Sequence, residues 1–288
     1  SLRGGGGMTQ QEGDTRSAST PPPRPIAPAL IEELRIARSD GSPADWDRFV
    51  SAAEGSTFCH LAGWEQIMTD VMGHECLYLV ATDAAGNWRG VLPLVRVRSI
   101  LGHYLMSMPF LNDGGPLGDE VARERLVEHA VAEARRSGAD LLELRSRDEL
   151  PGPVTSSNRK LTVLLPLPAS TGELWEKTFR SKLRSQIRRP QKEGMTATSG
   201  VEQLAPFYEV FARNMRDLGT PVLPRAFFER LATTFGDRAI FSTVYSADGK
   251  PAAAACSLAW RDEVEIVWAS SLSEYNRFSP NMLLYAHI

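Results

Sequence analysis

Hydrophobic residues recur along this chain at two different periods, and the period separates predicted helices from predicted strands. Apolar residues spaced three or four apart over 119–137 predict an amphipathic helix, whereas short apolar runs such as 88–97 predict strands. Ser42 and Pro43 mark another helix start, because serine caps a helix and proline suits its first position. In chain order the pattern predicts a strand at 33–38, helices at 43–53 and 63–72, strands at 76–83, 88–97 and 103–111, a helix at 119–137, and strands at 139–146 and 160–167.

The second half of the chain repeats this order. The hairpin-forming stretch TDAAGNWRGVLPL in the first half has a counterpart, SADGKPAAAACSL, in the second. A repeat unit this long predicts a duplicated α/β (α+β) domain rather than a solenoid. We therefore predict a first domain over 30–168 and a second, C-terminally incomplete domain over 169–288. The elements predicted for the second domain are strands at 194–200, 239–246, 251–260 and 263–271, and helices at 201–217, at 224–235 and from Ser279 onward.

Composition narrows the class of protein. The formal net charge of -3 argues against a general nucleic-acid binder and against stable DNA binding. Residues 1–29 are polar and proline-rich and predict a disordered tail, and residues 1–7 resemble an added segment ahead of Met8. The cysteines and histidines show no ligand spacing, so we predict no metal site and a reducing cytoplasm. We also predict no transmembrane segment, because no apolar stretch is long enough to span a bilayer.

Positive charge gathers in the segment FRSKLRSQIRRPQKEG, which contains no acid before its penultimate residue. Apolar residues every four positions from Trp175 to Ile187 predict a helix with one buried stripe, and arginines follow one position later at the same spacing. Such a row can turn toward a polyanion, such as a pyrophosphate, a tRNA acceptor end or a nucleotide sugar; basic stems lying along apolar surface are the alternative. Pro190 is expected to end or kink this helix. The predicted phosphate-binding residues of the segment are Arg180, Lys182, Arg184 and Arg188.

Two further stretches add candidate chemistry. In FSPNMLLY, Ser279 is predicted to cap a helix whose first amides, including that of Asn281, would bind phosphate; a capped structural helix is the alternative. In NDGGPLG, Gly114 and Gly115 would let the backbone approach a ligand and Asp113 would orient an amine, although a turn before a helix explains the same residues. The candidates for a base or proton donor beside the capped helix are Glu274, Tyr275 and Tyr285.

The order of strand, two helices, three meandering strands, loop and helix is that of GNAT-type N-acyltransferases, and two tandem copies resemble the FemAB family. The chain resembles most the FemAB-related proteins of exopolysaccharide and PEP-CTERM systems, whose acyltransferase domain is of the BioF2-like type. The chain departs from this pattern at Pro190, and NRFSPN replaces the glycine-rich coenzyme A loop of GNAT enzymes. The resemblance covers residues 31–288 and is carried by GVLPLVRV, NDGGPLG, KLRSQIRRPQKEGM, NMRDLGTP and FSPNMLLY.

The resemblance implies tandem GNAT-like domains and N-acyl transfer. The donor would be acyl-CoA or aminoacyl-tRNA, both of which carry phosphate, and the acceptor would be an amine on a sugar or peptide precursor of the cell envelope or of an exopolysaccharide. The reaction would take place in the cytoplasm, including the inner membrane face, in the cleft between the repeats. Direct transfer needs positioning and oxyanion donors rather than a nucleophilic triad. Two alternatives stay open: an acyl-CoA-dependent GNAT N-acetyltransferase of a small molecule, and a non-catalytic binding module for RNA or an anionic glycan.

Overall fold

The computed structural model describes residues 33–100, 102–157 and 161–288, so the predicted tail at 1–29 lies outside the described residues. Two successive sets of elements form two lobes. The first lobe contains β1 (Arg35–Arg38), α1 (Pro43–Ala52), α2 (Gly63–Gln66), β2 (Glu75–Thr82), β3 (Trp88–Ser99), β4 (Gly102–Ser107), β5 (Leu117–Gly118), α3 (Glu120–Ser137) and β6 (Leu141–Glu143). The second lobe contains α4 (Thr171–Glu173), α5 (Ser181–Lys192), β7 (Thr196–Ser199), α6 (Leu204–Asp217), α7 (Arg225–Phe235), β8 (Ala239–Tyr245), β9 (Pro251–Trp260), β10 (Glu263–Ser271) and α8 (Pro280–His287).

Each lobe is built on its own sheet. The first sheet has the order β1-β2-β3-β4-β6, with β5 paired to β3, and all its pairs are antiparallel except β4 with β6. The second sheet has the order β10-β9-β8-β7 and is antiparallel throughout. β10 is therefore an edge strand, and a bulge between Ile266 and Trp268 interrupts its pairing with β9. The α/β fold class that the sequence predicts is confirmed.

The alternation of side chains along the strands explains the layers. In β2, Leu79 joins a cluster with α3, while its neighbour Val80 faces the opposite side. In β9, Ala253 packs toward α8, while Ala254 faces the first lobe's side of the sheet. Both sheets are covered on their outer faces by helices, α3 on one and α8 on the other. The region between the sheets is filled from both lobes.

This shared core is one cluster of buried residues that extends from Trp46 to Leu272. Trp64 of the first lobe lies 6.3 Å, ring centre to ring centre, from Phe227 of the second. Leu34–Ile288 accordingly form one compact unit. The division into domains at 168–169 stays a prediction.

Three predicted strands differ from the structure. β4 ends at Ser107 instead of 111, because Met108 and Phe110 adopt left-handed φ angles of 44° and 71° that a strand cannot continue. The strand predicted at 139–146 is reduced to β6. The strand predicted at 160–167 is wrong for its described part, since 161–167 has no regular structure and Leu161 and its apolar neighbours are exposed. The apolar residues of this segment indicate an extended backbone, but a β-strand also requires the edge of a sheet with which to pair.

The predicted helix across the basic segment is also different. A π-helical turn over Leu174–Thr178 follows α4, and extended ψ angles at Phe179 and Arg180 separate it from α5. The expectation that Pro190 ends the helix is wrong, because α5 continues to Lys192, whereas the alternative of a kink stays a prediction. A proline in the last turn removes only one helical donor, and the amide of Met195 closes the end by donating to the Pro190 carbonyl at 3.0 Å.

Candidate functional site

The two lobes meet along a polar surface that we call the inter-lobe groove. Its first-lobe wall consists of residues 54–60, the NDGGPLG loop and the segment 146–148, and its second-lobe wall is 260–265, around the β9–β10 turn. The side-chain amide of Asn112 donates to Glu265 across this groove at 2.6 Å. A cavity of about 80 Å³ is lined by both lobes, and another of about 50 Å³ lies in the first-lobe wall. The groove therefore combines residues that are far apart in sequence.

Two arginines cross the groove in opposite directions. Arg147 of the first lobe binds the Glu263 carboxylate with both terminal nitrogens, one of them at 2.8 Å. Arg261 of the second lobe donates to carbonyls at the end of α1, including that of Val50 at 3.5 Å. A guanidinium suits this position because the C-terminal carbonyls of a helix lack intrahelical partners. These contacts fix the β9–β10 turn against the first lobe.

His60 holds the NDGGPLG loop from inside the protein. The Thr57 amide donates to its Nδ1 at 3.1 Å, so Nε2 carries the proton and donates to the Gly115 carbonyl at 3.0 Å. Burial lowers the pKa of His60, although the Asp113 carboxylate opposes this effect. The adjacent thiol of Cys59 is also buried, and desolvation raises its pKa. His60 and Cys59 are thus a neutral imidazole and a thiol, and the role of His60 is to hold the NDGGPLG loop in place.

The three residues predicted to bind substrate lie together in this loop. Asp113 is buried, and its Oδ1 accepts the Gly114 amide at 2.8 Å while its Oδ2 lies 3.5 Å from Nε of Arg147. Gly114 has a φ of 127°, and a Cβ there would meet the Met108 side chain at 2.7 Å, so this position requires glycine. Asp113 and Gly115 both line the cavity in the first-lobe wall. Their role in substrate binding stays a prediction.

The ionisable groups in the groove differ in how their surroundings shift their pKa values. Hydrogen bonding to Arg147 lowers the pKa of Glu263 and raises the pKa of Arg147 itself. Burial instead raises the pKa of Glu265, although Asn112 and Arg147 partly oppose it. Glu263 and Glu265 are thus two carboxylates of the groove whose pKa values are shifted in opposite directions.

Buried polar atoms without hydrogen-bond partners are concentrated at the groove. Among the described residues, eight buried side-chain nitrogen or oxygen atoms lack a partner. Four of them belong to residues that line or cross the groove, namely Ser56, Arg123, Trp260 and Glu265. Unpaired buried polar groups are uncommon in folded proteins, and a cluster of them marks a place where water or a ligand completes the hydrogen bonding.

The basic segment is divided between structural and exposed residues. Arg184 donates to three carbonyls of the preceding turn, including that of Trp175 at 3.0 Å, and Arg188 lies over the Trp175 ring at 5.0 Å. These two guanidinium groups are thereby engaged in local contacts, a role the sequence analysis did not foresee. Arg180 precedes the first turn of α5 and is exposed, as is Lys182.

The structure brings α5 and α8 together, since the two helices pack against each other. α8 begins at Pro280, as predicted, but Ser279 does not cap it with its side chain. Ser279 instead adopts a left-handed conformation with φ 59° and ψ 49°, which directs the chain into the helix. Asn281 lies in the first turn of α8. Phosphate binding by these residues stays a prediction.

The three predicted catalytic residues lie beyond the other end of β10. Glu274 pairs with Arg213 of α6 at 2.8 Å, and Tyr275 packs between the shared core and the cluster under α8. Tyr285 is about half exposed on α8. The structure does not bring them to the inter-lobe groove, because β10 separates the two places by most of its length.

Sequence reasoning missed Arg147, Glu265, Ser56 and Trp260. Each is an ordinary residue in its local context, and its significance comes from a partner more than a hundred positions away or from the absence of a partner. The only available signal was that Glu263 and Glu265 alternate with apolar residues in EVEIVWASS, a segment that contains no basic residue to pair with them. Within 33–100, 102–157 and 161–288, no group of three potential metal ligands occurs, and no helix has the length and apolarity to cross a bilayer.

Comparison with known proteins agrees with this architecture. Residues 177–288 match the family described as acetyltransferase (GNAT) domain. The fold resembles the crystal structure of FemX, with a TM-score of 0.60 and 13% identity over 87% of this chain and 84% of that one. L-PGS from Bacillus licheniformis gives a TM-score of 0.46 and 11% identity over 85% of this chain and 73% of that one. No curated protein sequence matches significantly.

Proposed function

We propose that this chain is a FemAB-like N-acyltransferase acting on an amine of a cell-envelope precursor or exopolysaccharide, because residues 177–288 match the acetyltransferase (GNAT) domain family and the fold resembles that of FemX. The position of β10 is the observation that supports this proposal. This edge strand begins at Glu263 in the inter-lobe groove and ends at Ser271, after which the chain leads to the start of α8. One strand therefore connects the inter-lobe groove, where we place the acceptor, with the start of α8, where we place the donor. The reaction is proposed to take place in the cytoplasm or at the inner membrane face.

The donor end is proposed to bind phosphate. The exposed side chains of Arg180 and Lys182 stand on or beside α5, which packs on α8. In the first turn of α8, Pro280 has no amide hydrogen and the Met282 amide donates to the Ser279 carbonyl at 3.0 Å, so the Asn281 amide at the positive end of the helix dipole is the backbone donor proposed for a ligand. A phosphate-bearing donor, either acyl-CoA or aminoacyl-tRNA, fits this combination of exposed cations and a helix N-terminus. When bound, the donor supplies the activated carbonyl.

The bulge in β10 is proposed to lie at the reacting carbonyl. Val267 has no partner in the pairing of β9 and β10, because the register shifts between Ile266 and Trp268. At about 3.3 Å per residue, Val267 is roughly 7 Å along the strand from Glu265 and roughly 13 Å from Ser271. A backbone amide freed by a bulge can donate to the oxygen that becomes negative during acyl transfer.

The acceptor end is proposed to bind and activate the amine. A protonated amine would be attracted to the buried carboxylate of Asp113, with Glu265 on the opposite wall. Nucleophilic attack requires the neutral amine, and Glu265 is suited to take the proton because burial raises its pKa. The amine nitrogen then forms the new amide bond as the bond from the carbonyl carbon to the donor's leaving atom breaks. Glu274 and Tyr275 stay candidates for proton donation at the donor end.

Calorimetric titration of the full chain with coenzyme A, and separately with an aminoacylated tRNA acceptor-stem helix, tests the proposal. We expect one of the two to bind, and the double substitution Arg180→Ala and Lys182→Ala to weaken that binding about tenfold or more at low salt. Lys177→Ala is the matched control, because Lys177 is exposed but pairs with Glu173. Transfer is then measured by mass spectrometry with glucosamine as the amine.

The outcomes separate the proposed function from its alternatives. Binding of coenzyme A with acetyl transfer from acetyl-CoA to small amines that carry no sugar ring, and not to glucosamine, would indicate the small-molecule N-acetyltransferase. Binding of RNA without any turnover would indicate a binding module. Failure of both donors to bind would refute the proposed donor site.

A further inference from the structure

One end of the inter-lobe groove contains two buried polar groups that lack partners. Ser56 and Trp260 are each 9% exposed, and neither the Ser56 hydroxyl nor the Trp260 indole nitrogen has a hydrogen-bond partner. Both residues line the cavity of about 80 Å³, together with Thr57, Arg261, Asp262 and Glu263. Ser56 belongs to the first lobe and Trp260 to the second, so this end of the groove exists only where the lobes meet.

Nearby tryptophans show that an unpaired indole is not the rule in this region. Trp46 donates to the His60 carbonyl at 2.7 Å, and Trp64 donates to the Phe58 carbonyl at 2.9 Å. Trp260 differs in two ways: the guanidinium carbons of Arg238 and Arg261 lie 5.2 and 5.7 Å from its ring centre, and its N–H meets no protein acceptor. A ligand oxygen would satisfy it.

The hydrogen-bonding capacity of the cavity defines the chemistry of that ligand. An indole N–H only donates, a serine hydroxyl donates and accepts, and the carboxylates of Asp262 and Glu263 only accept. An ammonium group could not accept from Trp260 and would be repelled by Arg238 and Arg261, and a carboxylate could accept from Trp260 but could not donate to Asp262 or Glu263. A hydroxyl group fulfils both requirements, and neighbouring hydroxyls on one ring present donors and acceptors side by side. A peptide amide fits less well, because its N–H and carbonyl point in opposite directions.

We infer that Ser56 and Trp260 form a binding subsite for a neutral, hydroxyl-bearing ligand group of the kind found on a sugar ring. The subsite adjoins the loop around Asp113, because Glu263 is bound by Arg147, which also lies beside Asp113. A ligand spanning the groove could therefore place a sugar ring at Trp260 and an amine near Asp113. Identification of this ligand as the acyl acceptor rests on the proposed function, whereas the binding itself does not.

Nuclear magnetic resonance of the full chain, labelled with ¹⁵N-tryptophan, tests the subsite directly. Trp260→Phe identifies the Trp260 indole signal, and the protein is titrated with N-acetylglucosamine, glucosamine, N-acetylglycinamide and glycine. We expect both sugars to shift the Trp260 signal, and glucosamine to bind more tightly because its amine reaches Asp113. Ser56→Ala should weaken sugar binding about five- to tenfold, as expected for one lost hydrogen bond.

Ser257→Ala is the matched control, because Ser257 is also a buried serine with an unpaired hydroxyl but lies on β9 outside the cavity. It should leave the affinity unchanged. The subsite is refuted if no sugar moves the Trp260 signal, if N-acetylglycinamide moves it more than the sugars do, or if both serine variants weaken binding equally. Sugar binding without any donor binding or transfer would support the subsite and refute the proposed function. Transfer without sugar-dependent shifts of the Trp260 signal would support the proposed function and refute the subsite.

Discussion

Replacement of His60 by glutamine tests whether a neutral, buried imidazole fixes the loop at the inter-lobe groove. The ring satisfies two backbone groups, the Thr57 amide and the Gly115 carbonyl. A buried group left without its partner costs about 1–3 kcal/mol. Glutamine can satisfy at most one of the two from the same position, so His60→Gln should lower the free energy of unfolding by about 1–3 kcal/mol at pH 7.5.

The pH dependence of that difference is the sharper part of the prediction. Burial lowers the pKa of His60 in the folded protein, whereas the unfolded chain titrates near the ordinary value of about 6.5. Below that pH the unfolded state binds more protons than the folded state, so the stability that His60 contributes is present above about 6.5 and falls as the solution becomes more acidic. Between pH 7.5 and 5.5 the wild type should therefore lose as much as about 1.4 kcal/mol more than the variant.

Urea denaturation, followed by tryptophan fluorescence at the two pH values, measures this double difference. Other titrating groups cancel because they are common to both proteins. His129→Gln on α3 is the control for a histidine outside the groove. If the wild type and His60→Gln lose equal stability on acidification, His60 is not held neutral by burial and its assigned hydrogen bonds are incorrect.

Two further predictions concern arginines with structural roles. Arg96→Met should destabilise the protein by about 3–5 kcal/mol in urea denaturation, because it leaves the buried carboxylate of Glu133 without its buried partner. Arg136→Met removes the exposed partner of the same carboxylate and should cost about 1 kcal/mol or less, so equal losses in the two variants would contradict this assignment. Arg184→Ala should accelerate amide hydrogen exchange in the π-helical turn whose carbonyls it binds, while Lys182→Ala should not, and unchanged exchange in the first variant would show that the contacts are not stabilising.

Local signals in the sequence predicted most elements well. Ser42 and Pro43 start α1 as predicted, and Asp45 completes a capping box with Ser42 that uses only neighbouring residues. The strands from Ala239 to Ser271 also lie where apolar runs predicted them, because their pairing partners are adjacent in sequence. Such features depend on short-range geometry, which the spacing of residue types records directly.

The groove was less accessible to prediction because it depends on distant pairs. Asn112 and Glu265 are 153 positions apart, and nothing in either segment specifies the other. The local contacts of the arginine row were hidden for a related reason. Spacing places Arg184 beside the apolar stripe but does not reveal that the helix breaks at Arg180 and that Arg184 then meets freed carbonyls. Helical periodicity fixes the face of a residue only while the helix is continuous.

The shared core also limits how such a protein can change over evolutionary time. A duplicated domain can ordinarily be lost, moved or recombined, because each copy buries its own apolar surface. Here Trp64 and Phe227 belong to different lobes but to the same buried cluster, so separation of the lobes would expose aromatic surface on both. A protease cut between the lobes should accordingly leave the two pieces associated. The two lobes therefore form a single inheritable unit, in which an insertion or deletion in one must be accommodated by the other.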